Sequence, residues 1–314
     1  MNSTVRKALA GSAAACAGLY SGMSMFLTHE IFDRNAVLAD TLCNRMPSDP
    51  LPNQAELDEI QHWTDSRNYE ETVMKNSRGQ YLKGFLLRPE KKSDVYVLCS
   101  HGYRSTGKIG FRYIAKYWHE KGFNVFIVDQ QAEGESEGDI LSFGYYESQD
   151  MLEWVRFLVN EYGGDIKIIM HGVSLGCATV NLTVGSDYLP SNVKFVISDC
   201  GYTSCEDEFE YLLKSYKMPK TMANSIARVA KAKYGFDFRY IRPVNALRKA
   251  KMPILFIHGG DDSFVPTFMV NDNYNACTSE KKLLIIEGAG HAASYHTDPE
   301  KYEAACSEYC EKYL

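Results

Sequence analysis

The residues that could do chemistry fall in three short segments. HGVSLG (171–176) sets Ser174 between Gly172 and Gly176. FIHGGDDSFVP (256–266) offers two neighbouring acids, Asp261 and Asp262. GAGHAASY (288–295) offers His291, and His296 follows just beyond. A serine hydroxyl is a weak nucleophile until a base takes its proton, and the base works best when a carboxylate orients it. Serine, acid and histidine in that chain order form one of the known nucleophilic triads. The chemistry they could do is attack on a carbonyl carbon, followed by transfer of the acyl group to water.

Gly-x-Ser-x-Gly alone is a weak signal. Its context strengthens it: IKIIMHG (166–172) is an apolar run, and 175–184 has helical character. A strand running through a tight turn into a helix is what a nucleophile elbow needs. The helix N-terminus behind the turn favours developing negative charge. The same turn would also suit an ordinary serine N-cap. For the base, His291 is preferred to His296, because it sits in the short loop directly after an apolar run. For the acid, the residues leave Asp261 and Asp262 open, and Asp199 ends another run and could serve instead. An oxyanion hole needs two backbone donors. Leu175, after the nucleophile, and Tyr103, in the loop His101-Gly102-Tyr103, are the expected pair. His101, His171 and His258 are expected to brace loops rather than react.

These residues must be held by strands. Buried-strand runs occur at 94–100, 124–130, 166–172, 193–200, 252–259 and 281–288. Helical spacing falls between them, near 110–121, 145–161, 175–184, 266–277 and 298–313. This alternation predicts an α/β fold with a mostly parallel sheet covered by helices on both faces. Residues 69–90 read as an antiparallel hairpin turning at Ser77-Arg78-Gly79. Residues 205–250 are too long for a simple crossover and predict a small helical cap. Phe209, Tyr211, Leu212, Leu213 and Met218 are its candidate pocket-lining residues.

With these motifs in place, the chain resembles the bacterial, Firmicutes-type α/β-hydrolases described as serine aminopeptidase-like or prolyl-oligopeptidase-like. The resemblance covers about residues 65–314 and rests on SHGY, HGVSLGCAT, SDCGYTS, FIHGGDDSFVP and GAGHAASY. The family's D-x-x-V-P pattern falls on Asp262 to Pro266, so the resemblance implies Asp262 as the acid. It also implies a serine hydrolase, and an N-terminal membrane segment as in many family members. One loop departs from the family pattern, which has Arg and His after FIVD. Here it reads Gln130-Gln131-Ala132-Glu133-Gly134-Glu135-Ser136. That loop is expected to line the site and alter substrate preference.

The N-terminus allows several readings. Residues 8–27 carry no charge and follow Arg6 and Lys7, which suits a signal anchor. Twelve of those twenty residues are Ala, Gly or Ser, so the drive to insert is weak. A cleaved signal peptide and a helix packed on the enzyme body are the alternatives. The expected division is therefore 1–33 as a hydrophobic helix or possible anchor, 34–66 as a connector broken by Pro47, Pro50 and Pro52, and 67–314 as the hydrolase domain. The expected localisation is membrane-tethered, with cytoplasmic as the alternative.

A net charge of −6 gives no basis for nucleic-acid binding. The nine cysteines show no paired zinc spacing and read as buried thiols. No metal, phosphate-loop or dinucleotide signature is present, so no cofactor is expected. The function expected is ester hydrolysis on small to medium acyl groups, with peptidase, amidase or thioesterase activity as alternatives on the same triad. A non-catalytic binding protein is the reading from another class. An exopeptidase would need an acid to hold the substrate's amine, and Glu133, Glu135, Glu206, Asp207 and Glu208 are the candidates.

Overall fold

The computed structural model describes residues 3–38 and 53–314. Eight strands form one sheet in the order β1-β2-β4-β3-β5-β6-β7-β8. They are β1 Glu70–Lys75, β2 Tyr81–Leu87, β3 Val95–Ser100, β4 Asn124–Val128, β5 Lys167–Val173, β6 Val193–Asp199, β7 Ile254–Gly259 and β8 Lys281–Ile286. β1 and β2 pair antiparallel, as does β2 with β4, and every later pairing is parallel. The structure thus has the α/β-hydrolase architecture, with the opening hairpin at one edge.

Alternate strand residues point to opposite faces. Val95, Val97 and Cys99 join one core layer, with Phe111, Trp118, Tyr302 and Cys306. Tyr96 and Leu98 join the other, with Trp154, Val155, Leu158 and Val180. The covering helices are α3 Gly107–Glu120 and α10 Pro299–Tyr313 on the first face. On the second they are α4 Glu147–Tyr162, α5 Leu175–Thr183 and α9 Phe268–Ala276. Both layers need such cover because β3, β4 and β7 are buried along their whole length.

After β3 the chain crosses to β4 on one side, and β5 lies on the other side of β3. Loops leaving such a pair of strands diverge and open a crevice at the carboxyl ends. The loop after β3 holds His101 to Tyr103, and the loop after β5 holds Ser174.

Two further units close that end. Residues 205–247 form α6 Cys205–Ser215, α7 Thr221–Tyr234, a 3-10 turn at Phe238–Tyr240 and α8 Pro243–Leu247. α1, Ser3–Phe32, packs its second half on α7. Tyr20 donates to Thr221 at 3.0 Å and Ser24 to the Met222 sulfur at 3.3 Å. Phe32 is fully buried, with the rings of Phe143, Phe209, Tyr234, Phe236 and Phe238 within about 6.3 Å.

Over its second half, α1 takes the arrangement of a helix packed on the enzyme body. Among the described residues, no helix is long and apolar enough to cross a membrane. The physical reason is composition: small residues dominate the stretch, and its apolar end is used for docking. The stretch read as a connector also contains a helix, α2 Gln54–Asp65, closed by an Asn53–Glu56 capping box. Pro47 and Pro50 lie outside the described residues, as does Pro52. Cys99, Cys177, Cys200, Cys205, Cys277, Cys306 and Cys310 are buried and unpaired.

Candidate active site

The elbow is the tightest turn in the site. Ser174 adopts φ 56° and ψ −116°, a conformation costly for a residue with a side chain. It survives because the flanking positions are glycine. A Cβ on Gly172 would stand 2.2 Å from the Gly176 carbonyl oxygen, and one on Gly176 would stand 1.8 Å from that of Ser100. The Ser174 N–H donates to the Asp199 carbonyl at 2.9 Å, which fixes the turn against β6. Leu175 opens α5, so its N–H belongs to the helix end that lacks intrahelical acceptors.

Ser174 Oγ lies 2.8 Å from His291 Nε2, and His291 Nδ1 lies 2.8 Å from Asp262 Oδ2. The carboxylate can only accept, so Nδ1 carries the proton and Nε2 is left to accept from Ser174. Asp262 is buried and anchored by its own loop: the Phe264 and Val265 N–H groups donate to Oδ1 at 3.0 and 2.9 Å. His258 Nε2 stands 3.2 Å from Asp262 Oδ2 and 2.9 Å from the Val265 carbonyl. Burial pushes the Asp262 carboxyl up, but the hydrogen bonds and charges of His258 and His291 outweigh it. The group is held below the usual carboxylate range, and so stays ionised.

Asp261 is exposed and engages the β8 loop only through its backbone. His296 packs against the Tyr113 ring, 4.4 Å between centroids. Asp199 accepts from the Tyr302 hydroxyl at 2.9 Å, and burial raises it to about 6. It ends a chain in which Trp118 donates to His171 Nδ1 at 3.1 Å and His171 Nε2 meets Tyr302 at 2.8 Å. A ring nitrogen that accepts from an indole must be unprotonated, and burial lowers His171 to about 3. Of the candidates, then, the structure brings together Ser174, Asp262 and His291, and leaves Asp261, His296 and Asp199 apart from that set.

The loop after β3 lies over the elbow. A Cβ on Gly102 would be 3.4 Å from that of Ser174, so Tyr103 follows one residue after the contact. The loop is braced from two sides. Gln130 donates from its side chain to the His101 carbonyl at 2.7 Å, and from its backbone to His101 Nε2 at 3.1 Å. Tyr103 donates its hydroxyl to the Ile31 carbonyl at 2.8 Å, and Arg104 donates to those of Glu30 and Asp33 at 3.0 and 2.8 Å. The carbonyls at the end of α1 thereby gain partners that the helix cannot supply.

Residues 130–136 do not line the cavity at Ser174; they stand behind the loop that does. That corrects the expectation that this departure from the family pattern faces substrate. Gln130 braces, and Glu133 accepts the Arg104 N–H.

The cavity at Ser174 measures about 210 Å³. Its wall is almost wholly apolar and comes from three sources: Phe26, Leu27 and Ile31 of α1; Phe209, Leu212, Leu213 and Met218 of the cap; and Tyr103, Phe143 and Phe264 from loops. Tyr211 is not part of this wall. The contribution of α1 had no local signal in the sequence. Among the acids proposed for holding an amine, Glu208 lines the cavity, whereas Glu133, Glu135, Glu206 and Asp207 do not.

Cys200, Asp262 and His291 bring potential metal-binding atoms within 4.8 Å of one another. They do not fit a metal ion: burial pushes the Cys200 thiol well up, so no thiolate is offered, and Asp262 and His291 are bonded to each other.

A model of the prolyl oligopeptidase family matches residues 109–314. The chain belongs to the prolyl oligopeptidase family. This family member is also similar to the uncharacterised protein YqkD of Bacillus subtilis (strain 168), with 28% identity over 239 residues, 76% of this chain and 77% of that one. Solved structures share its fold. The Pyrococcus furiosus esterase Pf2001 superposes with a TM-score of 0.65 at 19% identity, covering 85% of this chain and 97% of its own. The esterase EaEST from Exiguobacterium antarcticum gives 0.59 at 16% identity, covering 77% and 100%. The protein is a serine hydrolase of the α/β-hydrolase fold.

Proposed function

We propose that this hydrolase cleaves carboxylic esters of small to medium acyl chains through an acyl-enzyme, with Ser174 as nucleophile, His291 as base and Asp262 as its orienting acid. The hydrogen-bond relay from Ser174 through His291 to Asp262, opening on an apolar cavity, carries this reading. Ser174 Oγ attacks the ester carbonyl as His291 Nε2 takes its proton. The carbonyl electrons move onto oxygen, which receives hydrogen bonds from the Leu175 and Tyr103 N–H groups. Collapse of this intermediate expels the alcohol, to which His291 returns the proton. Water then attacks the acyl-enzyme by the same steps and releases the acid. Asp262 stays charged throughout and stabilises the imidazolium.

A largely apolar wall suits a hydrocarbon acyl group, since burying a strongly polar substrate group there would need a partner. Family membership favours a second reading, hydrolysis of short peptides by the same residues. A panel of p-nitrophenyl acyl esters beside aminoacyl amides separates the two. Ester turnover that falls by about three orders of magnitude or more in Ser174→Ala, at unchanged melting temperature, is expected. Turnover of amides alone would replace the ester reading, and retained activity in the variant would remove Ser174 from it.

A further inference from the structure

One buried group in the cavity has no part in the relay. Glu208 is 3% exposed and lines the same cavity as Ser174. Neither of its carboxyl oxygens has a hydrogen-bond partner among the described residues. An unpaired buried polar group is costly, so it calls for a physical account.

Helix capping does not supply one. Ser204 is the N-cap of α6 and accepts from the Asp207 N–H at 3.0 Å, while Asp207 bonds back to Ser204 at 2.6 Å. Glu206 pairs with Arg242. Asp207 therefore serves the helix end and Glu206 an ion pair, and Glu208, one step further on, turns into the cavity wall instead. Three other polar residues of the wall are engaged. Tyr202 donates to the Phe143 carbonyl at 2.9 Å, Tyr103 donates to that of Ile31, and Glu30 accepts the Leu38 N–H at 3.0 Å.

Resting on the ester-hydrolase reading above, we infer that Glu208 is a specificity group: its carboxyl meets an uncharged oxygen function, a hydroxyl or carbonyl, on the acyl chain held in this cavity. The chemistry follows from the surroundings. Burial raises the Glu208 carboxyl well above the usual range, with the Asp262 charge adding to the rise, which favours the neutral acid. A neutral carboxylic acid donates one hydrogen bond and accepts another, which matches a hydroxyl in both senses and a carbonyl in one. Among the described residues no Lys, Arg or His lines the wall, so a carboxylate on the substrate would find no counter-charge from them. An ammonium would have to ionise Glu208 and bury both charges among apolar side chains, which is expensive.

The test uses the full chain and pairs of medium-chain p-nitrophenyl esters. Each hydrocarbon chain is matched with versions carrying a hydroxyl, keto or amino group at successive carbons. The parent is expected to prefer one hydroxy or keto ester over its hydrocarbon partner by about tenfold or more in kcat/KM, as for a hydrogen bond to an otherwise unpaired buried group. Glu208→Gln, which is neutral and still donates, should keep most of that preference. Glu208→Leu should lose it, read as the ratio of kcat/KM between each oxygenated ester and its hydrocarbon partner in the same protein. Identical ratios in all three proteins would overturn the inference and leave the ester reading standing. A preference for the amino ester that Glu208→Gln abolishes would overturn it in favour of an ion pair. If Glu208→Leu fails to fold, the parent decides: equal rates on every oxygenated ester and its hydrocarbon partner overturn the inference. No turnover of any ester by the parent would instead defeat the ester reading, and this inference with it.

Discussion

The relay and the cavity wall are built in opposite ways. Ser174, Asp262 and His291 each stand within a few residues of a strand end, β5, β7 and β8 respectively. Their positions follow from local turns and from a sheet buried on both faces. The wall gathers side chains from α1, from the cap and from loops near residues 103, 143 and 264. It exists only once the chain has folded. Damage to the relay should therefore abolish chemistry and spare stability, whereas damage to the wall should change substrate ranking or stability and spare chemistry.

The sharpest break comes from the neighbouring acids. Asp262→Asn should lower kcat by about two to four orders of magnitude, because His291 loses the group that fixes its tautomer and its charge. Asp261→Asn, on an exposed carboxylate, should stay within about twofold. Steady-state kinetics on one ester decides between them, and equal losses would erase the distinction that the geometry draws.

Phe32 tests the wall from its far side. It is fully buried among five aromatic rings that join α1 to the cap. Phe32→Ala should cost about 3–5 kcal/mol in denaturant unfolding. A loss under about 1 kcal/mol would mean that α1 is not docked as described.

Smaller effects are expected inside the cavity. Leu212 and Met218 are only partly buried. Their alanine variants should reorder short against medium acyl esters, by about 1–3 kcal/mol between chains, at nearly unchanged melting temperature. Phe209 and Leu213 are buried, and their alanine variants should lower stability as well. Tyr211→Ala should leave the ranking alone. A ranking unchanged in all four wall variants would take the cap out of the pocket.

The smallest effect is on pH. Burial raises Glu208 above its ordinary value of 4.5. The unfolded chain then gives up this proton at lower pH than the folded chain, so stability declines as pH climbs from 4.5 towards the folded value. Glu208→Gln removes that decline. Its melting temperature relative to the parent should be higher at pH 8 than at pH 4, and a difference independent of pH would contradict the raised value. Asp262 has the opposite sign: its lowered pKa contributes stability above 3.8 that is lost as pH falls.

What could be read from the sequence divides along the same line. Alternating apolar runs and helical spacing give the parallel sheet, because a strand covered on both faces has to be apolar throughout. The elbow is legible because only glycine fits at 172 and 176. Choosing Asp262 over Asp261 needed the family pattern, since both acids follow β7, and only the fold turns one inward to the Phe264 and Val265 N–H groups. Helix α2 had a local signal, Asn53 three residues before Glu56, but the prolines just ahead of it pointed to a connector. The docking of α1 had none. Its small residues read equally as a weak membrane segment or a packed helix, and what decides is the aromatic pocket for Phe32, assembled from residues more than a hundred positions away. Glu208 was one of five acids on offer; only tertiary packing singles it out.

The central claim is that Ser174 is the nucleophile of this serine hydrolase. A fluorophosphonate reacts with a serine whose hydroxyl is activated by a neighbouring base. Peptide mass spectrometry after labelling of the full chain should find one adduct, on the peptide containing Ser174, formed in step with loss of ester hydrolysis and absent in Ser174→Ala. Labelling at another residue, or full ester hydrolysis by the labelled protein, would contradict the account.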